Sequence, residues 1–250
     1  MVHRRSGPRV YAGDDVVALL DGSAHGALAV HLAAVEAAAT NACLHVEVVV
    51  ETGPAGPDGH VDPGRGHPFA PGGHSGTGTA HELLNRAERA LSRGWPDLRV
   101  RSYVRYGSVA ENLAAVTASA RLLSLGVVGR REWRHRVGSS AAAALAAGRC
   151  TVLLARAGFG RGAPAGEVRA LALTAGAPQD PQFQEVGNAL AVHCGTTLQL
   201  LDLGPRRWRR PSPNSLAEAV PSDLSQGPVP GFVVVDTSVS PGVAGVVAAA

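Results

Sequence analysis

The chain has 250 residues, and 45% of them are apolar, which is enough to bury the core of one large domain or two small ones. A net charge of +3 is too weak for this length to indicate a nucleic-acid-binding protein. Residues 1–14 lack the apolar stretch of a signal peptide, and no segment approaches the ~18 apolar residues of a membrane helix. We therefore expect a cytoplasmic protein without a membrane partner.

Strands and helices are predicted to alternate through the first 156 residues. Apolar runs predict strands over 15–20, 43–50, 98–104, 122–128 and 151–155. Helices are predicted between them, over 24–39, 79–92, 109–120 and 139–147. Ser23 is placed to cap the first helix, and capping boxes of the form T/S-x-x-E begin at Thr79 and Ser108. The alternation predicts a parallel sheet covered by helices on both faces.

The segment 51–78 interrupts this pattern. It is rich in Gly and Pro and has no apolar periodicity, so we predict a long flexible loop. Four histidines lie in or beside it at intervals of seven residues: His60, His67, His74 and His81. Even spacing does not bring side chains together in a loop, so these histidines are expected to be solvated. Three scattered cysteines are expected to be buried thiols in a reducing cytosol, and no metal site is predicted: Cys43, Cys150 and Cys194.

A Gly- and Arg-rich linker is predicted over 157–167, and the strand and helix pattern then begins again. The predicted elements are a strand over 168–174, a helix over 182–194, a strand over 196–203 and a short apolar run over 232–235. We find no counterpart of the third strand or of the closing strand. The region 168–250 is therefore interpreted as a second copy that has lost elements. The two copies are expected to pack as a pseudo-dimer, with self-association or other proteins as possible contacts.

Four segments of the first half resemble the universal stress protein family. They are VVALLDGSAHGALAV at 16–30, LHVEVVVE at 44–51, YGSVAENLAAV at 106–116, and the run from GVVGRR to CTVLLAR over 126–156. The resemblance covers nearly all of 14–156, whereas the second half shares only the first two strands of the pattern. It implies an α/β, Rossmann-like domain over 15–156 with a five-stranded parallel sheet in the order 3-2-1-4-5, followed by a second, truncated copy.

Nucleotide-binding members of this family carry a glycine motif after the fourth strand, G-x-x-G, nine residues, then G-S or G-T. Glycine lets the backbone approach phosphate oxygens, and the N-terminus of the following helix favours their negative charge. Gly129 and the pair Gly138-Ser139 match the two ends of the motif. Glu132 replaces the second glycine, and the loop is about four residues shorter. Glu132 disfavours phosphate by charge repulsion, whereas arginines in the same loop favour it.

The resemblance implies nucleotide contacts at the carboxyl ends of the strands. Asp21, at the end of the first strand, is implied to lie beside the nucleotide, and the backbone of Val49 to meet the adenine. The other candidates are the ribose and phosphate contacts after the fourth strand and two arginines that favour phosphate: Gly129, Arg130, Arg131, Gly138, Ser139 and Ser140. Two alternatives stay open. Asp21 is also interpretable as a turn residue that caps the next helix, and 138–140 as an ordinary helix start.

The resemblance thus implies a stress-response protein that binds ATP, with or without Mg²⁺, or a related adenine nucleotide in its first domain as a regulatory ligand. The alternative is a nucleotide-free scaffold that acts through protein–protein contacts, which Glu132 and the shortened loop favour. The sequence contains no G-x-S-x-G, H-E-x-x-H or intact P-loop motif, so no catalytic residue is assigned. A slow ATPase is a third, open interpretation.

Overall fold

The structure is a computed structural model of the chain, and it describes residues 11–51, 76–127, 139–147, 150–155, 170–174, 181–195, 198–202 and 232–236. Within these ranges the strands are β1 (Val16–Leu19), β2 (Leu44–Val50), β3 (Val100–Tyr106), β4 (Leu122–Gly126), β5 (Thr151–Ala155), β6 (Ala170–Thr174), β7 (Leu198–Asp202) and β8 (Phe232–Asp236). The helices are α1 (Ala24–Ala39), α2 (Gly76–Gly94), α3 (Val109–Thr117), α4 (Ser139–Ala147) and α5 (Pro181–His193). The order of elements predicted from the sequence is confirmed over the described residues.

The strands form one sheet in the order β3-β2-β1-β4-β5-β8-β6-β7. β1 pairs in parallel with β2 on one side and β4 on the other, so that Val16 lies opposite both Leu44 and Leu122. β3 and β5 continue the parallel pairing outward from β2 and β4. These five strands confirm the predicted order 3-2-1-4-5, in which β3 is an edge strand. Parallel strands with helices on both faces make this an α/β, Rossmann-like fold.

Helices cover both faces of the five parallel strands. On one face, α1 and α2 share a buried apolar cluster with the sheet that includes Val16 and Leu84. On the other face, α3 and α4 share a second cluster that includes Val17 and Leu123. Successive residues of a strand point to opposite faces, so β1 needs an unbroken apolar run to be covered on both sides. No described helix combines the length and apolar character that crossing a membrane requires.

Helix α1 follows β1 directly, as predicted, and packs closely on the sheet. The hydroxyl oxygen of Ser23 accepts the backbone N–H of Gly26 at 2.9 Å, so the predicted cap is confirmed. The fully buried alanines Ala29 and Ala33 allow the helix to approach the strands beneath it. Ser124 of β4 donates its hydroxyl to the carbonyl oxygen of Ala29 at 2.8 Å. This hydrogen bond ties α1 to the neighbouring strand.

The start of α2 differs from the prediction. The helix begins at Gly76, so the predicted capping box and the loop end at residue 78 are both wrong. Thr79 and Glu82 lie inside the helix, as does His81. Leu84, a residue of this helix, is fully buried. Burial of apolar side chains outweighs the roughly 1 kcal/mol that each helical glycine costs relative to alanine.

The predicted N-cap of α3 is confirmed in its position but not in its hydrogen bond. Ser108 occupies the N-cap, but its side chain makes no capping hydrogen bond within the described part of the chain. The predicted linker over 157–167 lies outside the described residues. The same is true of most of the predicted loop, including His60, His67 and His74.

The second half of the chain extends the same sheet. β6 pairs in parallel with β7 and with β8, and β8 pairs antiparallel with β5. The predicted strand at 232–235 is confirmed and continues to Asp236. From α5, Phe183, Val186 and Leu190 belong to the same buried cluster as α1. The pairing of β5 with β8, which the sequence did not predict, joins both halves of the chain in one sheet.

Candidate functional site

The connections that follow β1 and β4 diverge at the carboxyl ends of these two central strands. The two strands lie side by side, but the chain continues from β1 towards β2 and from β4 towards β5. Parallel α/β sheets bind ligands at such a reversal, outside the carboxyl ends of the strands. We call the space at the carboxyl ends of β1 and β4 the β1–β4 crevice. Its described residues are Asp21, Gly22, Ser23, Gly126 and Val127.

The turn after β1 is held by hydrogen bonds. Gly22 has a φ of +78°, a conformation that glycine adopts without strain. Oδ1 of Asp21 accepts the backbone N–H of Ser23 at 2.9 Å and the hydroxyl of Ser23 at 2.6 Å. Asp21 therefore fixes the turn, as its alternative interpretation predicted, but the residue that caps α1 is Ser23 and not Asp21. Its carboxylate lies at the N-terminus of α1, where the helix dipole favours negative charge.

Two glycines bring the start of α1 against the end of β4. A Cβ atom on Gly126 would lie 2.8 Å from Cβ of His25 and 3.0 Å from the backbone nitrogen of Gly26. A Cβ atom on Gly26 would in turn collide with Oδ1 of Asp21. At Gly126 the end of β4 and the start of α1 therefore approach each other closely, backbone to backbone. Glycine allows this close approach of backbones.

Asp21 and Val49, two of the sequence-predicted site residues, lie at the same edge. The register of β1 and β2 pairs Leu19 with Glu47. Continuing this parallel register by two residues puts Val49 beside Asp21. Val49 is half-buried. The structure therefore brings together the ends of β1, β2 and β4, as the resemblance implied.

The predicted phosphate contacts are described only in part. Helix α4 begins at Ser139, as predicted, and Ser140 is half-buried in its first turn. That first turn contains no acidic residue. No carboxylate of that turn therefore competes with a bound anion for the positive end of the helix dipole. The other four candidates lie outside the described residues: Gly129, Arg130, Arg131 and Gly138. Their contacts with ribose and phosphate stay predictions.

A cavity of about 340 Å³ opens beside the same turn, between α1 and α2. Gly22 and Ser23 belong to its lining, together with the polar side chains of His31 and Arg86. The rest of the lining is apolar: Leu20, Ala27, Val30, Leu83, Ala87, Ala90, Leu91 and Trp95. This volume falls within the range of small-molecule pockets, roughly 300–1,000 Å³. The turn after β1 therefore borders both the crevice and an apolar cavity.

A buried polar network lies on the other face of β2. Oε1 of Glu47 accepts the phenolic hydroxyl of Tyr11 at 2.6 Å and Nη2 of Arg105 at 3.0 Å, and Arg105 also donates to the Tyr11 oxygen at 2.6 Å. Burial, followed by the Glu47 carboxylate, raises the pKa of Tyr11, so the phenol stays protonated. Burial lowers the pKa of Arg105, but its hydrogen bond and charge contact with Glu47 outweigh this and raise it overall.

This network was not predicted from the sequence. Tyr11 precedes the first predicted strand, yet it is only 3% exposed. Within the apolar run 44–50, His45 and Glu47 occupy alternate positions, and both are buried. Alternating polar residues in an otherwise apolar strand are the signal that could have revealed a polar layer on one face.

Solved structures with a fold similar to that of this chain include universal stress proteins. UspA from Lactobacillus plantarum matches with 16% identity and a TM-score of 0.42, over 58% of this chain and 99% of that chain. A universal stress protein in complex with cAMP matches with 22% identity and a TM-score of 0.42, over 58% and 98%. A universal stress protein from Archaeoglobus fulgidus matches with 15% identity and a TM-score of 0.41, over 58% and 98%. At this level the likeness concerns the fold alone. No protein-family model and no curated protein matches the chain.

Proposed function

We propose that this chain is a universal stress protein-like stress-response protein that binds ATP or a related adenine nucleotide in the β1–β4 crevice. The nucleotide acts as a regulatory ligand. The observation that carries this proposal is the position of Asp21 and the start of α1 at the switch point of a parallel sheet with the order 3-2-1-4-5. Ligands of such sheets bind at that edge.

The two sides of the crevice differ in charge, which gives the nucleotide an orientation. A carboxylate such as that of Asp21 accepts hydrogen bonds from ribose hydroxyls or an adenine amino group, but it repels phosphate. The N-terminus of α4 lacks an acidic residue and follows an arginine-rich connection, so it favours phosphate. In this orientation the nucleoside lies beside Asp21 and Val49. The phosphates then meet the predicted residues after β4: Gly129, Arg130, Arg131, Gly138, Ser139 and Ser140.

Asp21 is suited to this role because the turn uses only one of its oxygens. Oδ1 accepts both hydrogen bonds from Ser23, and no described residue donates a hydrogen bond to Oδ2. A ligand hydroxyl that donates to Oδ2 would form a charge-assisted hydrogen bond, worth about 1.5–3 kcal/mol. Loss of such a bond weakens affinity roughly 10- to 150-fold.

Calorimetric titration of the whole protein with ATP, with and without Mg²⁺, tests the proposal. Asp21→Asn keeps an oxygen acceptor for Ser23, so it preserves the turn, but it removes the charge and replaces the second carboxylate oxygen by an NH₂ group that cannot accept the ligand hydrogen bond. We expect binding in the wild type and affinity reduced by about 10- to 150-fold in Asp21→Asn. Asp97→Asn is the matched control, because Asp97 is an exposed turn residue before β3, and it should bind like the wild type. No binding by the wild type at millimolar ATP with Mg²⁺ would overturn the proposal.

A nucleotide-free scaffold is the second candidate function. Glu132 in place of the second motif glycine favours it, because a carboxylate there repels phosphate. Such a protein would act through its surfaces, with the crevice closed to nucleotides. A folded wild type that binds neither ATP nor ADP nor cAMP would favour the scaffold over nucleotide binding.

We also propose that residues 15–156 form one domain and that 168–250 are its truncated copy. The segment β6–α5–β7 repeats the succession β1–α1–β2, and β8 lies beside β6 as β4 lies beside β1. The copy has no described counterpart of β3 or β5. The antiparallel pairing of β5 with β8, together with Phe183 of α5 in the cluster of α1, supports an internal pseudo-dimer.

A further inference from the structure

A second group of polar side chains lies at the amino ends of β1 and β2, at the opposite end of these strands from the crevice. Asp15 directly precedes β1, Cys43 directly precedes β2, and His45 is the second residue of β2. Val16 pairs with Leu44, so Asp15 lies beside Cys43 across the two strands. Cys43 and His45 are two residues apart and share one face of the strand. Three side chains that commonly bind metals thus come together from two neighbouring strands.

The distances within this group fit a single small ion. Nε2 of His45 lies 3.1 Å from Oδ2 of Asp15. The ligand atoms of Asp15, Cys43 and His45 all lie within 4.8 Å of one another. Tetrahedral zinc, with metal–ligand bonds of about 2.0–2.3 Å, holds neighbouring ligand atoms roughly 3.2–3.8 Å apart. Small rotations of the three side chains would close the group around one ion without moving the strands.

The burial and charge of the group favour a divalent, sulfur-binding metal. His45 is 2% exposed, Cys43 is 8% exposed and the side chain of Asp15 is 13% exposed. One Zn²⁺ with a carboxylate, a thiolate and a neutral imidazole has no net charge, so burying it costs little electrostatic free energy. A set of sulfur, nitrogen and oxygen ligands is typical of zinc, whereas Mg²⁺ and Ca²⁺ prefer oxygen alone.

The residues around the group hold two of its ligands in place. The imidazole of His45 lies edge-to-face with Tyr11 at 5.2 Å and stacks on Tyr103 at 5.9 Å, measured between ring centroids. Oδ2 of Asp15 accepts the backbone N–H of Ala12 at 2.9 Å. Contacts that orient the ligand side chains raise metal affinity.

We propose that Asp15, Cys43 and His45 bind one zinc ion, which links the amino ends of β1 and β2. The Cys43 thiol binds as a thiolate, so binding releases its proton to solvent. Three protein ligands leave one tetrahedral position, which a water molecule would fill. The ion stabilises the folded chain, and this role is independent of nucleotide binding in the crevice.

Titration of the metal-free, full-length protein with Co²⁺, a spectroscopic substitute for zinc, tests this proposal. We expect one equivalent of Co²⁺ to bind, to give a thiolate-to-cobalt charge-transfer band, and to be displaced by one equivalent of Zn²⁺. Cobalt held by histidines alone, such as those of the segment 60–81, gives no such band because imidazole has no sulfur. Absence of the band in the wild type at stoichiometric Co²⁺ would show that Asp15, Cys43 and His45 lie close together without binding a metal.

Cysteine variants assign the sulfur ligand. Cys43→Ser should lose the band and bind Co²⁺ more than about 100-fold more weakly, since even outer contacts of a metal site contribute 10- to 100-fold. Cys150 is the matched control, because it is buried to the same degree, 9% exposed against 8%. The double variant Cys150→Ser, Cys194→Ser should keep the full band. The double variant identifies the sulfur ligand even if Cys43→Ser does not fold, because Cys43 is the remaining cysteine of the double variant. A band that disappears in the double variant, or persists in Cys43→Ser, overturns the proposal.

Discussion

Replacing Gly126 by alanine tests the close approach of α1 to the end of β4. The added Cβ would lie 2.8 Å from Cβ of His25 and 3.0 Å from the backbone nitrogen of Gly26. Neither atom moves when a side chain rotates, because one is backbone and the other is bonded directly to it. The start of α1 must therefore shift away from β4, and the crevice between them changes shape.

The expected cost follows from two opposing effects. Forcing a methyl group into a packed site costs about 1–3 kcal/mol. Reduced freedom of the unfolded chain offsets about 0.4–1 kcal/mol of this when glycine becomes alanine. We therefore expect Gly126→Ala to lower the free energy of unfolding by about 1.3 kcal/mol, and by no more than about 2.6 kcal/mol. Gly94 is the control, because an added Cβ there meets no atom within 4 Å. Gly94→Ala should be neutral or stabilising by up to about 1 kcal/mol.

Urea denaturation followed by circular dichroism measures this difference. The midpoint of Gly126→Ala should fall below that of the wild type at an unchanged denaturant slope, and that of Gly94→Ala should not. The affinity of Gly126→Ala for ATP should fall as well, since the helix start that borders the crevice has moved. Equal midpoints for the two variants would refute the packing of α1 against Gly126.

Two further predictions concern the contacts of α5. His31 of α1 lies 5.6 Å from His193 of α5 between ring centroids, and burial, followed by the charge of His193, lowers the pKa of His31 from its usual 6.5. The unfolded chain then binds the proton more readily, so stability should fall as the pH drops below about 6.5. Denaturation midpoints at about pH 7.5 and pH 5.5 should differ less in His31→Gln, and an undiminished difference would contradict this. Truncation after Arg156 removes β8 from β5 and Phe183 from the core, so the shortened chain should self-associate in sedimentation, whereas a stable monomer would contradict the pseudo-dimer.

Much of the first half is predictable from sequence because its signals are local. Ser23 marks the start of α1, and the bounds of α1, α4 and β5 agree with their prediction. The order of the strands is not a local property, and it came from the family resemblance. The start of α2 was missed because Gly76 and Gly78 favour a loop locally. A helix already held in place by buried side chains such as Leu84 continues through both glycines, although each costs roughly 1 kcal/mol relative to alanine.

Pairings between distant segments could not be predicted. The run Phe232–Val235 predicts a strand, but an apolar strand is compatible with many neighbours, and its antiparallel pairing with β5 depends on residues far away in the chain. Asp15, Cys43 and His45 meet only through the register of β1 and β2. Asp21 was predicted at the crevice because it matches the aspartate that the family resemblance places after the first strand, whereas its hydrogen bonds to Ser23 are visible only in the folded turn.

The most direct test of nucleotide binding is to follow backbone amide NMR signals of the isotope-labelled protein while ATP and Mg²⁺ are added. The largest shifts should occur at Gly22, Ser23 and Gly126, which border the crevice. The signals of Cys43 and His45, at the opposite edge of the sheet, should stay unchanged. Shifts confined to that opposite edge, or no shifts at millimolar ATP, would contradict a nucleotide site between β1 and β4.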